Sequence, residues 1–248
     1  MIKYYTRACN FYYGKQSKFL VNKKKAIPLH QMKEISFDQI EIITRKSKKK
    51  IFINDIKYLS KSLKIKINLD LKKIKSKKKN FSNLNFKKIP NILGILNLTP
   101  DSFSDGGKFN TKKKGAQHAI DLLNYGADLI DVGGESTRPG SREINENVEW
   151  MRINKILNVI NKRIPLSLDT RKSNIMKKAI TLGVKLINDI SGLNFDKETV
   201  NVLKKSKVPF VIHHSKGDPK NMQNRPSYKN ELLDIYDFFE NKIKFLRS

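Results

Sequence analysis

The sequence predicts an α/β protein of the (β/α)8 TIM-barrel type, with the first five βα units present behind a small basic N-terminal appendage. From residue 91 onward, short apolar runs alternate with helical patterns five times over. That alternation demands a parallel sheet with right-handed crossovers. Each run ends at a polar residue or leads into a polar loop: Asn97, residues 133–141, Asp169, Asn188 and His214. Polar groups converging at the carboxyl ends of successive strands are the layout of a barrel's active face.

Along the chain, residues 1–71 hold short β-like pieces at 40–44 and 51–53, broken by lysine triplets at 23–25 and 48–50, and read as a small module. Residues 72–90 are basic and poor in pattern, with Pro90 at their end, and read as a linker. The first strand is the run Ile92, Leu93, Ile95, Leu96. A helix follows over 111–125, with Ala116, Ala119, Ile120 and Leu123 on one face and Gly126 beyond its end. The second strand covers 128–132, and the next helix 144–161 with Ile144, Val148, Met151 and Ile156 inward. The third strand is 165–168, after which Ser173 caps a helix that Gly183 stops. The fourth strand, 184–187, ends in Asn188-Asp189; a short helix spans 197–205; the fifth strand is 208–212. An amphipathic helix over 230–245 turns Leu232, Leu233, Tyr236, Phe239 and Ile243 to one side.

Composition narrows the class. The chain carries 51 Lys+Arg against 23 Asp+Glu, and residues 1–90 hold 25 of the basic groups but only 5 of the acidic ones. Such an excess suits an anionic partner, yet no RNA-binding motif with interleaved aromatics is present and nucleic acid is not the expected partner. The single Cys9 excludes an intramolecular disulfide framework. No run reaches the roughly 18 apolar residues of a membrane span, and the N-terminus lacks the apolar core of a secretory signal. Cytoplasm is the expected location, with no membrane partner.

The chemistry is carried by the stretch NILGILNLTPDSFSDGGKFN, residues 91–110. Its loop, with Pro100, two aspartates, two hydroxyls, Phe103 and Gly106-Gly107, exceeds the usual βα connection of about 2–6 residues. Neutral Asn97 offers a hard oxygen suited to Mg²⁺ completed by water and substrate phosphates. Asp169 and Asn188 at neighbouring strand ends supply acceptors and donors for a planar heterocycle with amino and ring N–H groups. The two long loops are natural lids. His213-His214 lacks a third metal ligand, and no P-loop, GxGxxG or Ser-His-Asp arrangement is present.

NLTPDSFSDGG at 97–107 and DVGGESTRPG at 131–140 resemble the two characteristic segments of the dihydropteroate synthases. LSLDT with Asp169, LINDISG with Asn188 and HSKGDPKNMQ from His214 resemble later segments of that family in the same order. The resemblance covers about residues 91–245. It implies a transferase of folate biosynthesis that joins 6-hydroxymethyl-7,8-dihydropterin diphosphate to 4-aminobenzoate, giving 7,8-dihydropteroate and pyrophosphate. Carried over to this sequence, Asn97 would ligate Mg²⁺, while Thr137, Asp169 and Asn188 would bind the pterin. Phe103, Thr137 and Pro139 would hold the aminobenzoate; Phe103, Ser104, Asp105 and Arg138 would serve catalysis. A complete protein of this family would be a possible homodimer.

Some of the pattern departs from the family. His213 and Ser215 stand where the family usually has apolar residues such as Met. The family's later Asp-Pro-Gly, Ser-Arg-Lys and Arg-x-His segments have no counterpart, so the sequence reads as a barrel lacking its last three strands. The competing expectations are an inactive pterin-binding fragment, a methyltetrahydrofolate methyltransferase-type domain and a basic nucleic-acid-binding protein.

Overall fold

The computed structural model describes residues 2–78, 80, 90–99, 112–138, 140–160, 164–217 and 225–248. Phe103, Ser104, Asp105 and Pro139 lie outside them. The chain divides into two compact units, Met1–Lys79 with Asn230–Leu233, and Asn80–Lys229 with Asp234–Ser248.

In the first unit, alternating apolar residues build a twelve-residue central strand, β3 (Met32–Ile43). It pairs antiparallel with β1 (Tyr5–Tyr13), β2 (Ile27–Leu29) and β4 (Lys48–Phe52). Helix α1 (Gly14–Asn22) precedes β2, a 3-10 turn (Ile53–Tyr58) follows β4, and α2 (Lys61–Lys75) continues past the expected module boundary at 71–72. Ile40 and Ile42 pack with Ile67 and Leu71 of α2. Asp70, on that buried side, is held by Thr6 at 2.7 Å and by Lys66 one turn earlier.

The second unit is built on a parallel sheet in the order β5-β6-β7-β8-β9. The strands are β5 (Leu93–Asn97), β6 (Leu129–Gly133), β7 (Leu166–Asp169), β8 (Leu186–Asp189) and β9 (Phe210–Ile212). Between them run α3 (Lys112–Asn124), α4 (Glu146–Ile160), α5 (Ser173–Thr181) and α6 (Thr199–Ser206), and α7 (Glu231–Arg247) follows β9. Sequential strand order with a helix at each crossover is that of five successive units of a (β/α)8 barrel.

Side chains alternate across the strands. Leu96, Ile130, Val132, Leu166, Leu168 and Ile187 turn to the helices and form the main core with Ile153, Ile156, Leu157, Ile175 and Ala179. Burying each such side chain contributes about 1.5–3 kcal/mol. The other face carries Ile95, Asp131, Gly133, Ser167, Asp169 and Asn188, and there Ile95 is 58 % exposed.

Four local expectations are corrected. In α4 the inward stripe is Glu149, Ile153, Ile156, Leu157 and Ile160, while Val148 and Met151 are exposed. An acidic residue sits inside because a lysine and a threonine meet it there. In α3, Ile120 is exposed and Leu122 packs on the core instead. Ser173 opens α5 without capping it: Lys172 holds the cap position with no side-chain bond. The Ser173 N–H donates instead to Asp196 Oδ2 at 2.8 Å, a cap supplied from the following loop. Of the inward set foreseen on α7, Leu233 is buried, whereas Leu232, Tyr236 and Ile243 are exposed.

Candidate functional site

Strand pairing brings the strand-ending residues together. Asn97 is in register with Gly133, Gly133 with Asp169, and Asp169 with Asn188, making one rung across four strands. The absence of a side chain at Gly133 opens this rung. A Cβ there would stand 3.4 Å from Asn97 Oδ1 and 3.5 Å from Asp169 Oδ2. These two oxygens therefore flank a shared gap that any larger residue would narrow.

One layer deeper lies Asp131, in register with Ile95 and Ser167 on the same face. Its Oδ2 accepts from Asn188 Nδ2 at 2.8 Å, and Asn188 Oδ1 accepts from His213 Nε2 at 3.0 Å. Among the described residues Asp169 Oδ1 is buried without a hydrogen-bond partner. Burial pushes the Asp169 carboxyl well above the usual carboxylate range, and the negative charges of Asp131, Glu149, Asp189 and Glu135 push the same way. Burial also raises Asp131, against the pull of the Ser167 hydroxyl and the Asn188 amide. A buried carboxylate oxygen with no donor is an unfilled demand for one.

The loop after β6 is fixed from below. Gly134 permits a close approach to α4: a Cβ there would meet Ile153 Cγ2 at 2.8 Å and the Glu149 carbonyl at 3.0 Å. Its own carbonyl accepts from Arg152 at 2.8 Å. Glu135 accepts from Arg171 Nε and Nη2 at 3.0 and 3.1 Å and from the Ile144 N–H at 3.0 Å. Lys172 Nζ lies 3.3 Å from Glu135, donates to Glu149 Oε2 at 2.6 Å, and also donates to the Ile144 carbonyl. Thr170 donates to the other Glu149 oxygen at 2.6 Å. Burial would raise Glu135, but Arg171, the Ile144 N–H and Lys172 together hold it below the usual range. Within the loop, Ser141 closes a turn onto the Arg138 carbonyl at 3.0 Å and its hydroxyl donates to the Ser136 carbonyl at 2.7 Å. Thr137 and Arg138 ride on this fixed turn, both half-buried.

Of the residues singled out from the sequence, the sheet brings Asn97, Asp169 and Asn188 onto one rung, and Thr137 and Arg138 stand in the loop beyond Gly133. His214 packs edge-on against Phe238 at 4.7 Å, a packing role. His213, in contrast, reaches the site through Asn188. Sequence reasoning missed Asp131, Glu135, Glu149, Arg171 and Lys172. The available signal was a charged residue set inside an apolar run, as in LIDVG. Among the described residues no group of three His, Cys, Asp or Glu is placed to hold a metal ion. No described helix is long and apolar enough to cross a membrane.

Comparison with known proteins matches residues 93–248 to the family described as "Pterin binding enzyme". The dihydropteroate synthase of Synechocystis is 36 % identical over 158 residues, covering 63 % of this chain and 55 % of that protein. The solved Yersinia pestis dihydropteroate synthase, in complex with a sulfonamide drug, aligns with a TM-score of 0.63 at 40 % identity, covering 66 % of this chain and 59 % of that one. The Burkholderia cenocepacia dihydropteroate synthase, solved with 7,8-dihydropteroate, aligns with a TM-score of 0.57 at 31 % identity, covering 66 % and 55 %. The chain thus spans about half the length of the curated relatives it matches.

Proposed function

The chain belongs to the pterin-binding enzyme family, and from that premise we propose that it serves as a dihydropteroate synthase in the cytoplasm. The reaction joins 6-hydroxymethyl-7,8-dihydropterin diphosphate to 4-aminobenzoate and releases pyrophosphate. The observation that carries this reading is the rung of Asn97, Gly133, Asp169 and Asn188, with a buried Asp169 oxygen that lacks a donor among the described residues. The likeness to a relative solved with 7,8-dihydropteroate supports it.

In this reading Asp169 and Asn188 accept N–H bonds from the pterin and hold its ring against the sheet. Orientation is their contribution: the carbon that bears the diphosphate is fixed toward the loops that follow β5 and β6. Asn97, a single neutral oxygen ligand at the end of β5, would hold a Mg²⁺ ion together with substrate oxygens. Bound there, the ion supplies charge neutralisation to the departing diphosphate. Arg138, on the turn braced by Glu135, adds a fixed positive charge on the same side. The aromatic amine of 4-aminobenzoate is its free base at neutral pH and attacks without a protein base. This agrees with the packing role of His214. Thr137 and Pro139 contribute to the aminobenzoate side, as do Phe103, Ser104 and Asp105 from the first loop, which exclude water from the reacting carbon.

The test is pyrophosphate release by the purified native protein, supplied with both substrates and Mg²⁺. Release that requires 4-aminobenzoate and is lost in Asp169→Ala is the expected result. Release independent of 4-aminobenzoate, or undiminished in that variant, would contradict the reading.

A further inference from the structure

A carboxamide has two faces of opposite character, and which one points at a ligand decides what the ligand must offer. At Asn188 the choice is made by the protein. Asp131 lies on β6 two residues before Gly133, on the same face of the sheet and only 7 % exposed. As a carboxylate it accepts and does not donate, so Asn188 turns Nδ2 toward it at 2.8 Å. His213 holds the opposite side, its Nε2–H donating to Oδ1 at 3.0 Å. Asp131, which as a carboxylate can only accept, sets the orientation, and the Nε2–H tautomer of His213 fits it. One N–H of the carboxamide is spent on Asp131 inside the sheet, and the lone pair of Oδ1 that His213 does not use is left for a ligand. Asp169, the register partner of Asn188 on β7, adds a carboxylate with an unpartnered oxygen among the described residues.

We propose that Asp131 is a positioning residue that sets the hydrogen-bond polarity of this pocket. By drawing the NH2 group of Asn188 toward itself it leaves Oδ1 as an acceptor beside Asp169, so the pocket favours a heterocycle edge bearing neighbouring N–H donors over one bearing carbonyls. The inference rests on the pterin reading of the site and deepens it. Asp131 does not need to touch the ligand. With asparagine at 131, that side chain can itself donate, and Asn188 is released to turn its own NH2 outward. An amide N–H would then oppose ligand N–H groups, which loses a hydrogen bond and strands a donor.

The discriminating experiment is a charge swap read by calorimetry on the native protein. The probes are 2-amino-4-oxopteridine and 2,4-dioxopteridine, the latter carrying a carbonyl where the former carries its amino donor. The wild type prefers the amino compound. Asp131→Asn lowers that preference by about 10- to 100-fold, the cost of leaving one buried donor unsatisfied. The double variant Asp131→Asn/Asn188→Asp restores it to within about threefold, because a carboxylate at 188 accepts whatever its rotation. The ratio of the two affinities is blind to a general loss of folded protein, and the swap variant decides the matter if Asp131→Asn folds poorly. An unchanged ratio in Asp131→Asn, or no recovery in the swap, would overturn the assignment. Binding of neither pteridine by the wild type would instead remove the pterin reading, and this inference with it.

Discussion

Two groups of buried carboxylates lie around the carboxyl ends of β6 and β7, and the protein treats them in opposite ways. Glu135 and Glu149, beside Gly134 and within α4, are met by Arg171, Lys172, Thr170 and the Ile144 N–H. Asp131 and Asp169, on the other face, have a carboxamide and no cation within the described set of ion pairs. The first group is a brace. The second is a set of acceptors held ready for donors that the described residues do not supply. Burial alone does not separate scaffold from site, because both groups are buried; compensation does.

The largest effect expected from this contrast is in stability. Lys172→Met strips Glu149 of its cation while that carboxylate stays fully buried, and should cost about 3–5 kcal/mol. Urea unfolding of the native protein measures it; a loss below ~1 kcal/mol would show that the brace is not structural. Asp169→Asn should do the reverse. It removes a carboxyl whose ionisation burial opposes, so stability holds or rises by about 1 kcal/mol, while pteridine affinity falls about 10- to 100-fold. Variants that moved stability and affinity together at both positions would erase the distinction.

The pH dependences should also differ in sign. Glu135, held below the usual range in the fold, contributes stability above the unfolded carboxylate value that is lost as pH falls through its lowered folded value. Asp169, raised well above that range, keeps its proton in the fold where the unfolded chain has released it. Stability therefore declines as pH rises from the ordinary carboxylate range into the raised one. Thermal melts across acidic pH in Glu135→Gln and Asp169→Asn should each flatten one of these two limbs.

The smallest effects distinguish the two glycines. Gly134→Ala presses a methyl group on the Glu149 carbonyl and on Ile153 and should cost about 1–3 kcal/mol. Gly133→Ala meets only the side chains of Asn97 and Asp169 at ordinary contact distance. Stability should barely change, and ligand affinity should drop several-fold as the gap between those two oxygens narrows.

Much of this unit was legible in the sequence because its strands are short, mostly apolar runs bounded by polar residues, and period and punctuation suffice for those. Asn97, Asp169 and Asn188 stood out because each interrupts such a run at its carboxyl end. Asp131 and Glu149 did not, because a charge inside an apolar pattern is compensated by residues distant in sequence. Thr170 and Lys172 reach Glu149 across 21 and 23 residues. The same blindness put Met151 rather than Glu149 on the buried side of α4, and gave Ser173 a cap that Asp196 supplies from the next loop.

The account stands most directly on the claim that Asp169, whose carboxyl burial pushes well above the usual range, is the group that receives the donors of an arriving ligand. Calorimetric titration of the native protein with 2-amino-4-oxopteridine, in buffers of differing ionisation enthalpy, counts the protons exchanged on binding. At mildly acidic pH the account predicts proton release, as incoming N–H donors favour the ionised carboxylate, and predicts that Asp169→Asn abolishes it. Binding with no proton exchange, or with the same exchange in that variant, would contradict it.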